Sequence, residues 1–274
     1  MSPPHSHNLF DRFLAILGLR RNPPSIEALT ELTAAFLVRF PFENISKLYY
    51  RNVMGLRTLP ELEQYLDGAE QYHFGGTCYP NNYYLHLLLD HLGYRASLCG
   101  ADMNRPDVHL VNVVRVDDRD FLVDAGYAAP FLKPMPLDLS QEWTCSLGRD
   151  RFVLSPRDDA GRSRLQMFRD GLPRHGYYLN PKPRRIEEFS GVIAHSFSDE
   201  ATFMNALLMV RFSDNRSLAI NNLEVIESIG LTLTISKIAD KAALPSTIEQ
   251  LFGIPAEIGV IAVNSLGELG DAWN

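Results

Sequence analysis

Residues 73–92 read HFGGTCYPNNYYLHLLLDHL, a glycine turn that runs into a helix with a cysteine at its head. Leu85, Leu88, Leu89 and Leu92 recur at i, i+3, i+4 and i+7, the spacing of one buried helical face. Gly93 follows where a left-handed residue closes a helix, and Pro80 falls near the start, where a missing N–H costs nothing. The pattern therefore predicts Cys78 in the first helical turn. There a cysteine lies beside unsatisfied backbone N–H groups and the positive end of the helix dipole, both of which favour thiolate over thiol. Gly75 and Gly76 leave room for another chain segment or a ligand to lie against the backbone.

Beyond Gly93 the period changes from helical to alternating. Residues 94–100, 108–116 and 121–127 read as strands, with Asp117-Asp118 between the last two as a tight turn. Further strands are predicted over 151–154, 164–169, 206–212, 217–222, 223–227 and 232–236, which makes the middle of the chain mostly antiparallel sheet. Pro130, Pro134, Pro136 and Pro156 punctuate it, and residues 180–185, Asn-Pro-Lys-Pro-Arg-Arg, read as a linker.

Strand 108–116 places His109, Val111 and Val113 on one face. With a two-residue turn at Asp117-Asp118, Val116 faces Arg119 and Val111 faces Asp124. Asp124 then shares a face with His109 and lies diagonal to it. A slip of one residue puts the two on opposite faces. A cysteine nucleophile works with a base within hydrogen-bond reach and a third group that orients the base, and Cys78, His109 and Asp124 are residues of those types. Each also has a structural reading: a small buried hydrophobe, a satisfied strand histidine, and a turn initiator ahead of Ala125-Gly126. The pattern alone leaves both readings open.

Upstream, Leu9, Phe10, Phe13, Leu14 and Leu17 share a helical face that ends at Gly18. A second helix is predicted from Ser25, with Ile26, Leu29, Leu32, Phe36 and Leu37 as its buried stripe and Phe40-Pro41-Phe42 as its stop. A third is predicted from Thr58 through Leu62 to Leu66, opened by Thr58-x-x-Glu61 as a capping box, which gives an all-helical first third. Near the end, Ser246-x-x-Glu249 reads as another capping box for a helix closing at Gly253. The fold class is α+β.

The composition sets limits on function. Lys and Arg number 26 against 33 Asp and Glu, a net charge of −7, and no basic run offsets it, which argues against nucleic acid as a partner. Cys78, Cys99 and Cys145 lack Cys-x-x-Cys spacing, and no histidine shows metal-ligand spacing with acidic or cysteine partners, so no metal is expected. The same sparse cysteines, with no cationic leader ahead of an apolar segment and no membrane-length run, point to a cytoplasmic protein without a membrane partner. The basic cluster Lys182, Arg184 and Arg185 is read as a solvated loop or a phosphate contact.

At these residues the chain resembles the arylamine N-acetyltransferase family. The family motif Arg-Gly-Gly-x-Cys-x-Glu-x-Asn is matched by residues 74–82, Phe-Gly-Gly-Thr-Cys-Tyr-Pro-Asn-Asn. Pro41-Phe42-Glu43-Asn44, His109-Leu-Val-Asn112 and Val123-Asp124-Ala-Gly-Tyr127 match three more motifs, and the order Cys, His, Asp agrees. The resemblance implies a helical bundle over residues 1–93, an antiparallel β-barrel over 94–190 and an α/β lid over 191–274, with a core like that of transglutaminases and papain-like cysteine proteases. It implies a Cys78-His109-Asp124 triad that takes an acetyl group from acetyl-CoA, as co-substrate, and passes it to an arylamine or hydrazine. Phe42 and Tyr127 are candidates for the apolar wall of the acyl or arylamine pocket, with ordinary core packing as the other reading. Phe74, beside the nucleophile, is placed with them as a substrate-binding residue. Phe74 and Pro80 stand where the family has Arg and Glu, which bears on the shape and polarity of the site. The same triad is compatible with an amide synthase taking a larger acyl group, or with a silent relative that only binds CoA or an aromatic ligand.

Overall fold

A computed structural model of the protein describes residues 4–270. Helices α1 (Pro4–Leu17) and α2 (Ile26–Arg39) lead into a two-residue strand, β1 (Phe42–Glu43), followed by α3 (Ile45–Met54), α4 (Leu62–Tyr72) and α5 (Cys78–His91). Ser25 caps α2, its hydroxyl accepting from the Ala28 N–H at 3.1 Å. The predicted stripes meet in one core, where Phe13, Leu29, Phe36, Leu85 and Leu88 are all fully buried. Side chains of this size contribute roughly 1.5–3 kcal/mol each on burial.

The first third is not all helical, as was expected, because β1 interrupts it and α3 follows. The face that α3 buries includes Ser46 and Lys47 beside Ile45, Leu48 and Tyr50, so the apolar period that marks a helix is broken. The Thr58 capping box does not form either. Pro60 disfavours helical backbone at Leu59, and the helix starts two residues later, with the Glu61 N–H donating to Gln64 Oε1 at 3.0 Å.

Eight strands follow the helices: β2 (Arg95–Asp102), β3 (His109–Val116), β4 (Arg119–Val123), β5 (Met135–Pro136), β6 (Trp143–Leu147), β7 (Asp150–Leu154), β8 (Ser163–Arg169) and β9 (Leu172–Pro183). They pair antiparallel in the order β5-β4-β3-β2-β9-β8-β7-β6 and curl into a nearly closed barrel. Asp117 and Asp118 form the two-residue turn, with φ of 47° and 61°, both in the left-handed region that a tight hairpin needs. Val116 faces Arg119 and Asn112 faces Val123, the predicted register, and the pairing ends one residue before Asp124. The linker reading of residues 180–185 is corrected, because β9 runs through Pro183. Its prolines survive for a topological reason. Pro173 lies where β9 pairs with β8 only, and Pro183 where it pairs with β2 only, so each has a strand neighbour on one side alone, as at a sheet edge, where proline is tolerated.

Helices α6 (Ser190–His195) and α7 (Thr202–Asn205) connect the barrel to β10 (Leu208–Ser213), β11 (Arg216–Asn221), β12 (Glu224–Ile229) and β13 (Thr232–Lys237). This second sheet has the order β1-β10-β11-β12-β13, so a strand from the helical third forms its edge. Helices α8 (Leu244–Phe252) and α9 (Ala256–Ser265) close the chain's fold. Ser246 does not cap α8. The helix begins at Leu244 with Pro245 in its first turn, and Ser246 donates back to the Ala243 carbonyl at 3.1 Å. No periodic pattern marks α9, whose run Ile258-Gly-Val-Ile-Ala-Val263 is apolar on nearly every side and so lacks a face. Among the described residues no helix is long and apolar enough to cross a membrane.

Candidate active site

Cys78 sits at the first position of α5 and is buried, 8% exposed. Thr77, at the cap position, makes no side-chain bond to the helix start. The glycine turn ahead of the cysteine is clamped to the PFEN segment. The Gly76 N–H donates to the Pro41 carbonyl at 3.2 Å, the Glu43 N–H donates to the Gly76 carbonyl at 3.1 Å, and Phe42 bridges Gly76. A Cβ on Gly75 would lie 1.9 Å from the Pro41 oxygen, so no other residue fits there.

The carboxylate of Glu43 is fully buried and accepts from the Ser46 N–H at 2.8 Å and the Gly75 N–H at 3.1 Å. Burial pushes its pKa up against those bonds. With Phe74 in place of the family's arginine, no cation pairs with it among the described residues. Asn44 completes the clamp. Its amide donates to the Phe203 and Ala206 carbonyls at 2.9 and 2.8 Å, and its oxygen accepts from the Leu208 N–H at 3.0 Å.

His109 opens β3 and Asp124 follows the last residue of β4, and the two are 2% and 1% exposed. His109 Nε2 is 2.8 Å from Asp124 Oδ2, which leaves Nδ1 for the sulfur. Three more donors hold the carboxylate: the Tyr177 hydroxyl on Oδ2, and the Asn82 amide and Gly126 N–H on Oδ1, each at 2.9 Å. Burial would raise the Asp124 pKa, but the charge of His109 and these hydrogen bonds outweigh it, and the group lies below its ordinary range. For His109 burial works against protonation, and Asp124, with a hydrogen bond to Cys78, overrides it and raises the imidazole pKa. Both shifts favour an imidazolium against a carboxylate, with the cysteine sulfur beside it.

Asn82, one turn below Cys78, ties helix to barrel. It donates to the Leu110 carbonyl at 2.6 Å as well as to Asp124, and its oxygen accepts from the Ala125 N–H at 2.8 Å. Gly126 permits the contact. A Cβ there would lie 2.6 Å from the Cys78 Cα and 2.9 Å from its carbonyl oxygen.

Cys78 and His109 line a cavity of about 790 Å³. Phe42 and Tyr127 are among the residues that line it. Phe74 is not. Its ring is buried in a separate core against Tyr49, Tyr50 and Tyr72, with centroids 5.3–5.8 Å away, because an aromatic at that position finds an apolar cluster behind the turn. Arg184 is paired with Glu188 and Asp107 and stacks over Phe189, and Lys182, Arg184 and Arg185 do not line the cavity. The three cysteines are free thiols, and no group of three or more His, Cys, Asp or Glu among the described residues could hold a metal.

Three residues of the site had no sequence reading. Tyr177 falls in the proline-rich strand, Asn82 was a motif match without a role, and Lys47, which lines the cavity, lies in the unpredicted helix α3. The place of Tyr177 follows from the sheet register and from no local pattern. Ala101 pairs with His109 on one side and with Leu179 on the other, so Tyr177, two residues along, shares their face.

A thiol at a helix start, with a buried imidazole on one barrel strand and a buried carboxylate just past the end of the next, defines a cysteine–histidine–aspartate site. The chain belongs to the N-acetyltransferase family, whose sequence profile matches residues 25–261. It is 28% identical over 193 residues to the arylamine N-acetyltransferase pineal gland isozyme NAT-3 of Gallus gallus, covering 61% of this chain and 63% of that one. It is 24% identical over 211 residues to arylamine N-acetyltransferase 1 of Homo sapiens, covering 66% and 70%. The fold matches the arylamine N-acetyltransferase of Mycobacterium abscessus with a TM-score of 0.80 at 18% identity, over 98% of this chain and 99% of that one. It matches the Mycobacterium marinum enzyme, solved in complex with CoA, with a TM-score of 0.78 at 18% identity, over 94% and 100%.

Proposed function

We propose that the protein transfers an acetyl group from acetyl-CoA to the nitrogen of an arylamine or hydrazine, through an S-acetyl-Cys78 intermediate in a ping-pong sequence. The observation that carries this reading is the bonding of His109 between Asp124 and Cys78 at the wall of the cavity. The Cys78 sulfur attacks the thioester carbonyl, and the Cys78 and Tyr79 N–H groups at the start of α5, which no side chain caps, receive the negative charge on its oxygen in this reading. As the tetrahedral adduct collapses, the C–S bond to CoA breaks and the imidazolium of His109 gives its proton to the departing thiolate. The amine then attacks the acetyl-cysteine. Its proton passes to His109, and the Cys78 thiolate leaves. Asp124 holds the ring in position and stabilises its charged form. Phe42 and Tyr127 supply an apolar wall for the acetyl group and the aromatic acceptor. The CoA complex of the Mycobacterium marinum relative supports the choice of donor. A cytoplasmic place of action belongs to the same proposal and is supported by three unpaired thiols.

The test is intact mass after brief exposure to acetyl-CoA, with Cys78→Ser as control. A gain of one acetyl group in the native protein alone is expected. An unmodified native protein with its fold intact would remove Cys78 as the acetyl acceptor.

A further inference from the structure

Lys47 is 7% exposed and lines the cavity together with Thr77, Cys78 and Ser196. Its Nζ donates to the Ser196 hydroxyl at 2.7 Å and lies 4.3 Å from the centroid of the Phe197 ring. Both partners are neutral, and Ser196 in turn donates to the Ile193 carbonyl. No carboxylate pairs with Lys47 among the described residues. Pro80, standing where the family motif has glutamate, lines the same recess as Lys47 and brings no charge to it.

A buried ammonium without a counter-ion is costly, and a sequence free to place methionine or leucine there would avoid the cost. Of the ammonium's three donors the Ser196 hydroxyl takes one. Burial draws the Lys47 pKa down to about 8, and the cysteine, when charged, partly restores it. Even so lowered, the pKa lies on the side of neutrality that favours the cation. The cysteine's charge vanishes once the sulfur is acylated, at the moment the second substrate must enter. Apart from the triad histidine, the other cationic side chains lining the cavity, Arg105, Arg164 and Arg174, are exposed, so Lys47 is the buried one among its lysines and arginines.

We infer that Lys47 is a specificity-determining residue, which receives a carboxylate carried by one of the two substrates beside Cys78. The remaining lining, with Phe42, Tyr79, Tyr127 and Phe203, suits an apolar or aromatic body with one acidic end. Two sources share this chemistry: an aromatic amine acceptor with a ring carboxylate, and the CoA thioester of a dicarboxylic acid. The inference rests on acyl transfer at Cys78, and its test separates the two.

The experiment compares matched pairs on the full chain. Equilibrium binding is measured for 4-aminobenzoate against 4-aminobenzamide, and the rate of Cys78 acylation by intact mass for succinyl-CoA against butyryl-CoA. The native protein is expected to favour the acidic member of one pair by 10-fold or more, and that pair identifies the source. Lys47→Met is expected to remove the preference, and Lys47→Arg to retain most of it. Equal treatment of both pairs by the native protein overturns the inference without need of a variant. So does a preference that persists in a folded Lys47→Met protein. If no thioester acylates Cys78, the acyl-transfer reading fails separately, and the binding pair still decides whether Lys47 recognises a carboxylate.

Discussion

The Tyr177 hydroxyl donates to Asp124 Oδ2 at 2.9 Å, the same oxygen that His109 Nε2 approaches at 2.8 Å. The tyrosine thus fixes the carboxylate from the side opposite the helix, where Asn82 holds the other oxygen. Tyr177→Phe keeps the ring and removes one hydrogen bond to a charged, fully buried group. Bonds of that kind contribute about 1.5–3 kcal/mol, and a stability loss in that range is expected in urea unfolding. Acetylation of Cys78 should slow as well, by about 10-fold, the equivalent of 1.4 kcal/mol in the barrier. Unchanged acetylation in a destabilised variant would make Tyr177 a purely structural residue.

The His109–Asp124 pair should leave a signature in stability against pH. His109 has a raised pKa, so its contribution is complete below its ordinary value of 6.5 and is lost as pH rises through the folded value. Asp124 has a lowered pKa, so its contribution is complete above 3.8 and is lost as pH falls through the folded value. The stability difference between native protein and Asp124→Asn should therefore be largest between about pH 4 and 6.5 and shrink as pH rises further, by at most about 1.4 kcal/mol per unit. Denaturant midpoints across that range measure it. A difference that grows above pH 6.5 would mean that His109 is neutral in the folded protein.

Gly126→Ala tests the contact between barrel and helix. The new methyl meets the Cys78 backbone, which cannot swing aside as a side chain would. A loss of about 1–3 kcal/mol is expected, together with slower Cys78 acetylation. Gly267→Ala, where a Cβ meets nothing within 4 Å, is the control and should stay within about 0.5 kcal/mol of native.

Lys47→Met should stabilise the protein at neutral pH by roughly 1–3 kcal/mol, because a lysine pKa drawn from 10.5 to about 8 records the cost of burying the charge. The sign follows from linkage. The unfolded chain binds the proton more tightly, so the cost is full below pH 8 and fades as pH rises towards 10.5. The gain in melting temperature should fade over the same interval. A variant that is less stable than native at pH 7 would show that Lys47 is held by packing that methionine cannot reproduce.

Much of this site was legible in the sequence because it depends on short-range patterns. The leucine spacing after Cys78 fixes where α5 starts, and the Asp117-Asp118 turn fixes the hairpin register, hence the shared face of His109 and Asp124. What was not legible depends on partners distant in the chain. Nothing local marks Tyr177 as a neighbour of Asp124, 53 residues away, and the prolines around it argue against the strand that carries it. Lys47 hid α3 by breaking its apolar face. The direction of Phe74 was missed because the Tyr49, Tyr50 and Tyr72 cluster that receives it exists only once α3 and α4 are packed.

The clamp made by Asn44 has a further consequence for how the protein is born. Asn44 waits for Leu208, 164 residues later in the chain, before its amide is satisfied. At ordinary rates of synthesis that interval lasts roughly 10–30 s. During it β1 has no sheet to join, and the turn that aims Cys78 lacks one wall. A nascent or truncated chain would thus carry the thiol without its finished setting, and reactivity would arrive late, as the last act of folding.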